Sequence, residues 1–122
     1  MKVEAVPVGW TDEMDDRLRV SAGDDLEIIR REVRTGIAQL WQCEKDGRPE
    51  AWVVTRVDGT EQDGYEWVIV LGEGRGFFDY MPLFVSHARD KGLPIRTHVK
   101  RRGLIRMWER LGLSLDHYVL RG

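Results

Sequence analysis

Five consecutive residues, Gly72-Glu73-Gly74-Arg75-Gly76, place three glycines and a guanidinium directly after a strongly apolar run, Trp67 to Leu71. Without a Cβ the backbone can approach a phosphate or pyrophosphate closely. Successive N–H groups can then point at the anion, and a following helix adds the positive end of its dipole. Arg75 would pair with the same anion. These residues also suit a plain tight loop between strand and helix, with Arg75 a solvated charge. Two titratable side chains, Glu66 and Tyr118, fall on apolar segments. His87, His98 and His117 are far apart in sequence and none has metal-ligand spacing, so no metal site is assigned, although His98 and His117 fall on segments that can be neighbouring strands. Cys43 reads as a small buried apolar residue rather than a nucleophile. Lys100-Arg101-Arg102, with Arg96 and Arg106 nearby, can bind phosphate or nucleic acid, or can simply solvate a helix entrance.

The elements that must carry these residues follow from periodicity and punctuation. Lys2 to Val8 alternates apolar residues around Pro7, as a short edge strand does. Thr11 followed by Asp12 and Glu13 predicts a helix start, with Met14 and Leu18 on one face and an end near Gly23. Asp24 and Asp25 can cap a second helix with a Leu26, Ile29, Val33 stripe, stopped by Gly36. Asp46-Gly47 between the apolar runs Ile37 to Cys43 and Ala51 to Val57 predicts a hairpin. Asp58 to Gly64 is polar and rich in turn formers, so a loop is expected there. Glu66 to Leu71 (EWVIVL) is too continuously apolar to have a wet face and predicts a central, doubly covered strand. Pro82 lacks an N–H and belongs in a helix's first turn, so the next helix should begin at Asp79 and bury Met81, Phe84, Val85 and Ala88. Ile95 to Val99 reads as a strand, Leu104 to Leu111 as an amphipathic helix and Tyr118 to Leu120 as the core of a last strand. The order is β-α-α-β-β-β-α-β-α-β, which implies a mixed α/β (α+β) fold with helices on both faces of a mixed sheet.

The 122 residues fit one domain, 1–122, and 42% apolar residues with five Trp support a packed core. Nineteen basic and 21 acidic residues mix along the chain to a net charge of −2, which gives no overall field for nucleic acid or anionic membrane. A lone cysteine rules out an internal disulfide and fits a reducing, cytoplasmic setting. No apolar stretch is long enough to span a bilayer, and residues 1–8 lack the apolar segment of a signal peptide.

Two stretches resemble motifs of the GNAT acetyltransferase superfamily. Val68 to Gly76 (VIVLGEGRG) is similar to its acetyl-CoA motif, a strand ending in [RQ]-x-x-G-x-[GA] before a helix, with Gly74-Arg75-Gly76 as the G-x-G. Arg101 to Leu113 (RRGLIRMWERLGL) resembles its late helix, N-x-x-A-x-x-x-Y-E-x-x-G-F, through Glu109 and Leu111-Gly112-Leu113. With the closing Tyr118-Val119-Leu120, the pattern is also similar to small GNAT-like proteins of phage genomes, for which a virion location would stand beside a cytoplasmic one.

The resemblance implies that acetyl-CoA lies against Val70, Leu71, Gly72, Gly74, Arg75 and Gly76, with pantetheine amides pairing to the strand backbone where the sheet splays. It implies transfer of an acetyl group to an unidentified amine. Glu66 would be a general base acting through water, or else a solvated strand-end carboxylate. Tyr118 would be a stand-in proton donor, or else packing. The sequence departs from the pattern at Leu71, where the motif has Arg or Gln, and at Trp108, where it has the Tyr that protonates the departing thiolate. It also ends after one strand where the family has two. A non-catalytic binding or structural module on the same scaffold is therefore the alternative.

Overall fold

The computed structural model describes residues 2–75, 77–98, 114–116 and 119–121. Among the described residues seven strands form one sheet in the order β1-β2-β3-β4-β5-β7-β6. They are β1 (Val3–Val8), β2 (Ala38–Lys45), β3 (Arg48–Thr60), β4 (Gly64–Gly74), β5 (Ile95–His98), β6 (Ser114–Asp116) and β7 (Val119–Arg121). Helices α1 (Asp12–Ala22) and α2 (Leu26–Thr35) lie between β1 and β2, and α3 (Phe77–Asp90) follows β4. The first four strands are antiparallel neighbours, β4 and β5 are parallel, and β5, β7 and β6 are again antiparallel. The sheet is therefore mixed, as expected.

Period-two alternation sorts the strands' side chains to two cores. Ala51 and Val53 of β3 with Trp67 and Ile69 of β4 pack under Tyr80, Met81, Phe84, Val85 and Ala88 of α3. Trp52 and Val54 of β3 with Leu40 of β2 pack under Met14, Leu18 and Ile29 of α1 and α2. Each fully buried Leu, Val or Phe contributes about 1.5–3 kcal/mol, so both helical layers are held mainly by these contacts. Local punctuation agrees. Asp46 and Gly47 adopt φ of 51° and 81°, the left-handed pair of a two-residue hairpin turn, and α2 stops at Gly36.

Four expectations are corrected. Asp58 to Thr60 belongs to β3, because it pairs with Glu66 to Gly64 of β4, and Asp58 is tied to Arg56 on its own strand and to Arg96 of β5. The loop contracts to the few residues before Gly64. Helix α3 begins at Phe77, so Pro82 sits in its second turn. The helix gives up one backbone hydrogen bond there, and the burial of Tyr80, Met81, Phe84 and Val85 carries it through. Neither Thr11 nor Asp25 makes a side-chain capping bond, and the Thr11 carbonyl instead accepts from the Met14 N–H at 2.9 Å. Finally, the end of the chain holds two short strands, β6 and β7, where one was expected. The predicted helix Leu104 to Leu111, with Trp108 and Glu109, lies outside the described residues.

Candidate functional site

The chemistry-bearing region centres on β4. Opposite β3, Val54 pairs with Leu71 and Thr55 with Ile69, so Val70 has no counterpart and forms a β-bulge. The side chains record it, for Val70 and Leu71, adjacent in sequence, both pack toward α1 and α2. On the other side, β5 pairs only with Trp67, Val68 and Ile69. From Val70 onward β4 thus presents a free edge on that side among the described residues, running from the bulge to the start of α3. Backbone N–H and C=O groups on such an edge can pair with an extended, amide-bearing ligand.

At the end of this edge the glycine-rich stretch differs from a loop. Gly72 pairs with Val53 and Gly74 with Ala51, so β4 continues through both. The Arg75 N–H donates to the Glu50 carbonyl at 2.9 Å and is not available to an anion. Gly74 has φ of 116°, and a Cβ there would sit 2.3 Å from the Glu50 carbonyl oxygen and 2.7 Å from Ala51 Cα. The close approach of β3 therefore dictates this glycine. What remains for a phosphate is the exposed Arg75 side chain and the N-terminus of α3, which starts two residues later. Gly76 itself lies outside the described residues. Tyr80 is fully buried and donates its hydroxyl to Glu50 Oε2 at 3.0 Å; burial, then the Glu50 carboxylate, pushes its pKa up to about 12. Glu50 thus ties both Arg75 and the first turn of α3 to β3. Leu71, where an Arg or Gln was sought, is buried against Val54 and faces away from that turn.

Beside the bulge a cavity of about 340 Å³ opens toward α2. The sheet lines it with Arg56, Val68, Val70 and Arg96, and the α2 side with Ile28, Ile29, Glu32 and the preceding Asp25. Its two arginines are neutralised. Arg56 donates to both oxygens of Glu32 at 2.8 and 3.1 Å and to both oxygens of Asp58 at 2.6 and 3.0 Å. Arg96 donates to Asp58 at 3.1 Å and approaches Glu66 at 3.7 Å. The Arg56 hydrogen bonds hold Asp58 below the usual carboxylate range, against the opposing effect of partial burial. Glu66 therefore lies on β4 four residues before the bulge, next to Arg96.

The other candidates fall elsewhere. Cys43 is fully buried under α3 and desolvation pushes its thiol up to about 12, as suits a packed, unreactive residue. His87 is wedged between the rings of Trp41 and Trp67, with centroids 5.4 and 5.1 Å away. Among the described residues no three His, Cys, Asp or Glu side chains gather in a metal-binding group, and no helix is long and apolar enough to cross a membrane. Tyr118, His117 and the cluster Lys100 to Arg106 lie outside the described residues. Sequence reasoning did not find Glu50 or the Arg56 network. The alternation Arg56-x-Asp58 after an apolar strand was the available signal for the network, since i and i+2 share one face.

No family model matches the chain, and no curated protein matches it in sequence. Solved structures do match. A Bacillus subtilis acetyltransferase in complex with CoA superposes with a TM-score of 0.69 at 10% identity, over 98% of this chain and 96% of that one. Arabidopsis thaliana Naa50, in complex with the bisubstrate analogue CoA-Ac-MVNAL, gives 0.66 at 14% identity, over 100% and 99%. A Drosophila melanogaster polyamine N-acetyltransferase gives 0.69 at 13% identity, over 95% and 85%. At these identities the likeness shows the fold, which is that of the GNAT acetyltransferases.

Proposed function

We propose that the chain transfers an acetyl group from acetyl-CoA to an amine. The observation that carries this reading is the edge of β4 left unpaired among the described residues, which starts at the Val70 bulge and ends at the N-terminus of α3. Two of the similar structures have CoA or a CoA analogue bound, which supports an acyl-CoA on this fold. The residues present fit that molecule in part. The β4 edge beyond Val70 offers N–H and C=O groups to the pantetheine amides, and the Arg75 side chain with the α3 N-terminus offers positive charge to the pyrophosphate. Gly74 and the Arg75 N–H are committed to β3 and take no part.

Acetyl-CoA, when bound, supplies a thioester whose carbonyl develops negative charge as an amine attacks. The bulge leaves Val70 out of the β3 ladder, and its backbone N–H is the donor we assign to that oxygen. Holding the reactants in line contributes most of the acceleration. Glu66, on the same strand and 3.7 Å from Arg96, is the candidate to accept the amine's proton through water. Tyr118 is the candidate to return a proton to the departing thiolate.

A second reading, a module that binds without turnover, is favoured by one observation, the loss of the Arg75 N–H from the phosphate turn to Glu50. Thermal denaturation with acetyl-CoA tests both readings. Ligand at 100 times its Kd raises stability by about 2.7 kcal/mol, so a clear rise in Tm is expected, and no rise at millimolar ligand refutes acyl-CoA binding. Arg75→Glu should remove most of the rise. Release of free thiol with an amine panel then separates turnover from binding alone.

A further inference from the structure

The β4 edge and the cavity toward α2 meet at Val70, which begins the one and lines the other. Among the described residues the charges lining that cavity balance, Asp25 and Glu32 against Arg56 and Arg96. Glu32 and Arg56 pair at 2.8 Å, and Arg96 pairs with Asp58 at 3.1 Å. No net charge therefore draws a cation or an anion into the cavity. What remains to recognise a ligand is the apolar part of the lining, Ile28 and Ile29 on α2 with Val68 and Val70 on β4. Ile29 and Val68 are already buried by the protein itself. Ile28 is not: it stands off the Leu26, Ile29, Val33 stripe, belongs to neither core, and is 53% exposed. The cavity's 340 Å³ has room for about ten water-sized groups, whereas an acetyl group brings a single methyl.

We infer that the preferred donor carries an acyl chain longer than acetyl, a straight chain of roughly four to eight carbons laid on Ile28, Ile29, Val68 and Val70. This inference rests on the acyl-transfer reading and extends the donor class of that same site. A thioester held at Val70 has the cavity beside it, and each methylene placed there removes its own apolar surface and that of Ile28 from water. A charged or strongly polar substituent would be desolvated in the same place without a net counter-charge. The transfer step is unchanged. The amine nitrogen bonds to the thioester carbonyl carbon, the C–S bond breaks, and the proton lost by the amine balances the one taken up by the CoA thiolate.

The experiment is calorimetric titration of the intact protein with acetyl-CoA, butyryl-CoA and hexanoyl-CoA, which needs no acceptor and no turnover. Full burial of a methylene is worth about four-fold in affinity, and a wall that stays partly open returns about two-fold. Hexanoyl-CoA, four methylenes longer than acetyl-CoA, should therefore bind about ten- to twenty-fold more tightly, with butyryl-CoA between them. The gain should come with an increasingly negative heat-capacity change and should persist at high ionic strength. Ile28→Trp, which fills the cavity from a half-exposed position, should compress the three affinities to within about two-fold of one another. Ile28→Asn, which makes the wall polar, should compress them in the same direction, and an unchanged Tm checks that each variant has folded. Acetyl-CoA that binds as tightly as hexanoyl-CoA overturns the inference, as does a chain-length ranking that survives both folded variants. If the three thioesters bind equally, the chain site alone fails and acetyl transfer stands. If none of them binds or shifts the Tm, acyl transfer itself fails and the inference falls with it.

Discussion

Gly74 separates the two meanings of the glycine-rich turn. A Cβ at position 74 would lie 2.3 Å from the Glu50 carbonyl oxygen, 2.7 Å from Ala51 Cα and 3.1 Å from Ala51 Cβ, and φ of 116° is a conformation that L side chains rarely adopt. The neighbour that would have to yield is backbone, and the same Glu50 carbonyl accepts the Arg75 N–H. Backbone strain of this kind costs about 1–3 kcal/mol, and a weakened hydrogen bond adds roughly 1 kcal/mol. Gly74→Ala should therefore cost about 3 kcal/mol. For a chain of this size that is a fall of roughly 12 °C in Tm, at some 4 °C per kcal/mol. The assay is thermal denaturation with and without acetyl-CoA, run beside Arg75→Glu. Gly74→Ala should lower the ligand-free Tm by that amount. Arg75→Glu, an exposed side chain, should leave the ligand-free Tm within a degree or two and lose the ligand-induced rise. A Gly74→Ala protein as stable as wild type, yet unable to respond to acetyl-CoA, would refute the argument that β3 dictates this glycine.

Two further outcomes follow from the titrating groups. Asp58 has its folded-state pKa held below its ordinary 3.8 by Arg56, so its contribution is complete above that value and is lost as pH falls through the folded pKa. Urea unfolding between pH 7 and pH 2 should show Asp58→Asn roughly 1–2 kcal/mol less stable at pH 7, with the gap closing in the acid range; parallel curves down to pH 2 would count against it. Cys43, buried with its thiol pushed up to about 12, should react with a disulfide reagent at pH 8 only as the protein unfolds. Fast reaction of the native protein would show that the site beneath α3 is open.

How much of this was legible in the residues depended on whether the signal was local. The hairpin at Asp46-Gly47 and the stop of α2 at Gly36 were legible because turn and cap chemistry is decided within a few residues. The start of α3 was not, since Pro82 argues locally for a later start and only the burial of Tyr80, Met81 and Phe84 on the sheet overrides it. Asp58 reads as a loop residue until Arg56 and Arg96 are seen on either side of it, one from the same strand and one from β5. Leu71 was compared with an Arg or Gln that would serve a phosphate, but its side chain belongs to the core under α1 and α2.

The bulge at Val70 is the most consequential feature and the least legible. In an alternating strand an inserted residue breaks the pattern of apolar and polar positions, and the break can be read. In WVIVL both faces are buried, so any register gives an apolar residue on each side and the insertion leaves no trace. The glycines that follow draw attention instead, although Gly74 is explained by β3 and Gly72 is a paired strand residue. The features that carry the proposed acyl-CoA site, a skipped residue and a pairing to β5 that among the described residues ends at Ile69, are set by pairing between segments. It follows that substitutions in the GEGRG stretch report mostly on stability or on the Arg75 charge. The reaction itself should be most sensitive to changes that restore regular pairing at Val70, such as its deletion. Deleting Val70 leaves Ile69 opposite Thr55 and Leu71 opposite Val54, so every β4 side chain keeps its face and the two-sided core is retained while the skipped donor is lost; activity should fall far more than Tm.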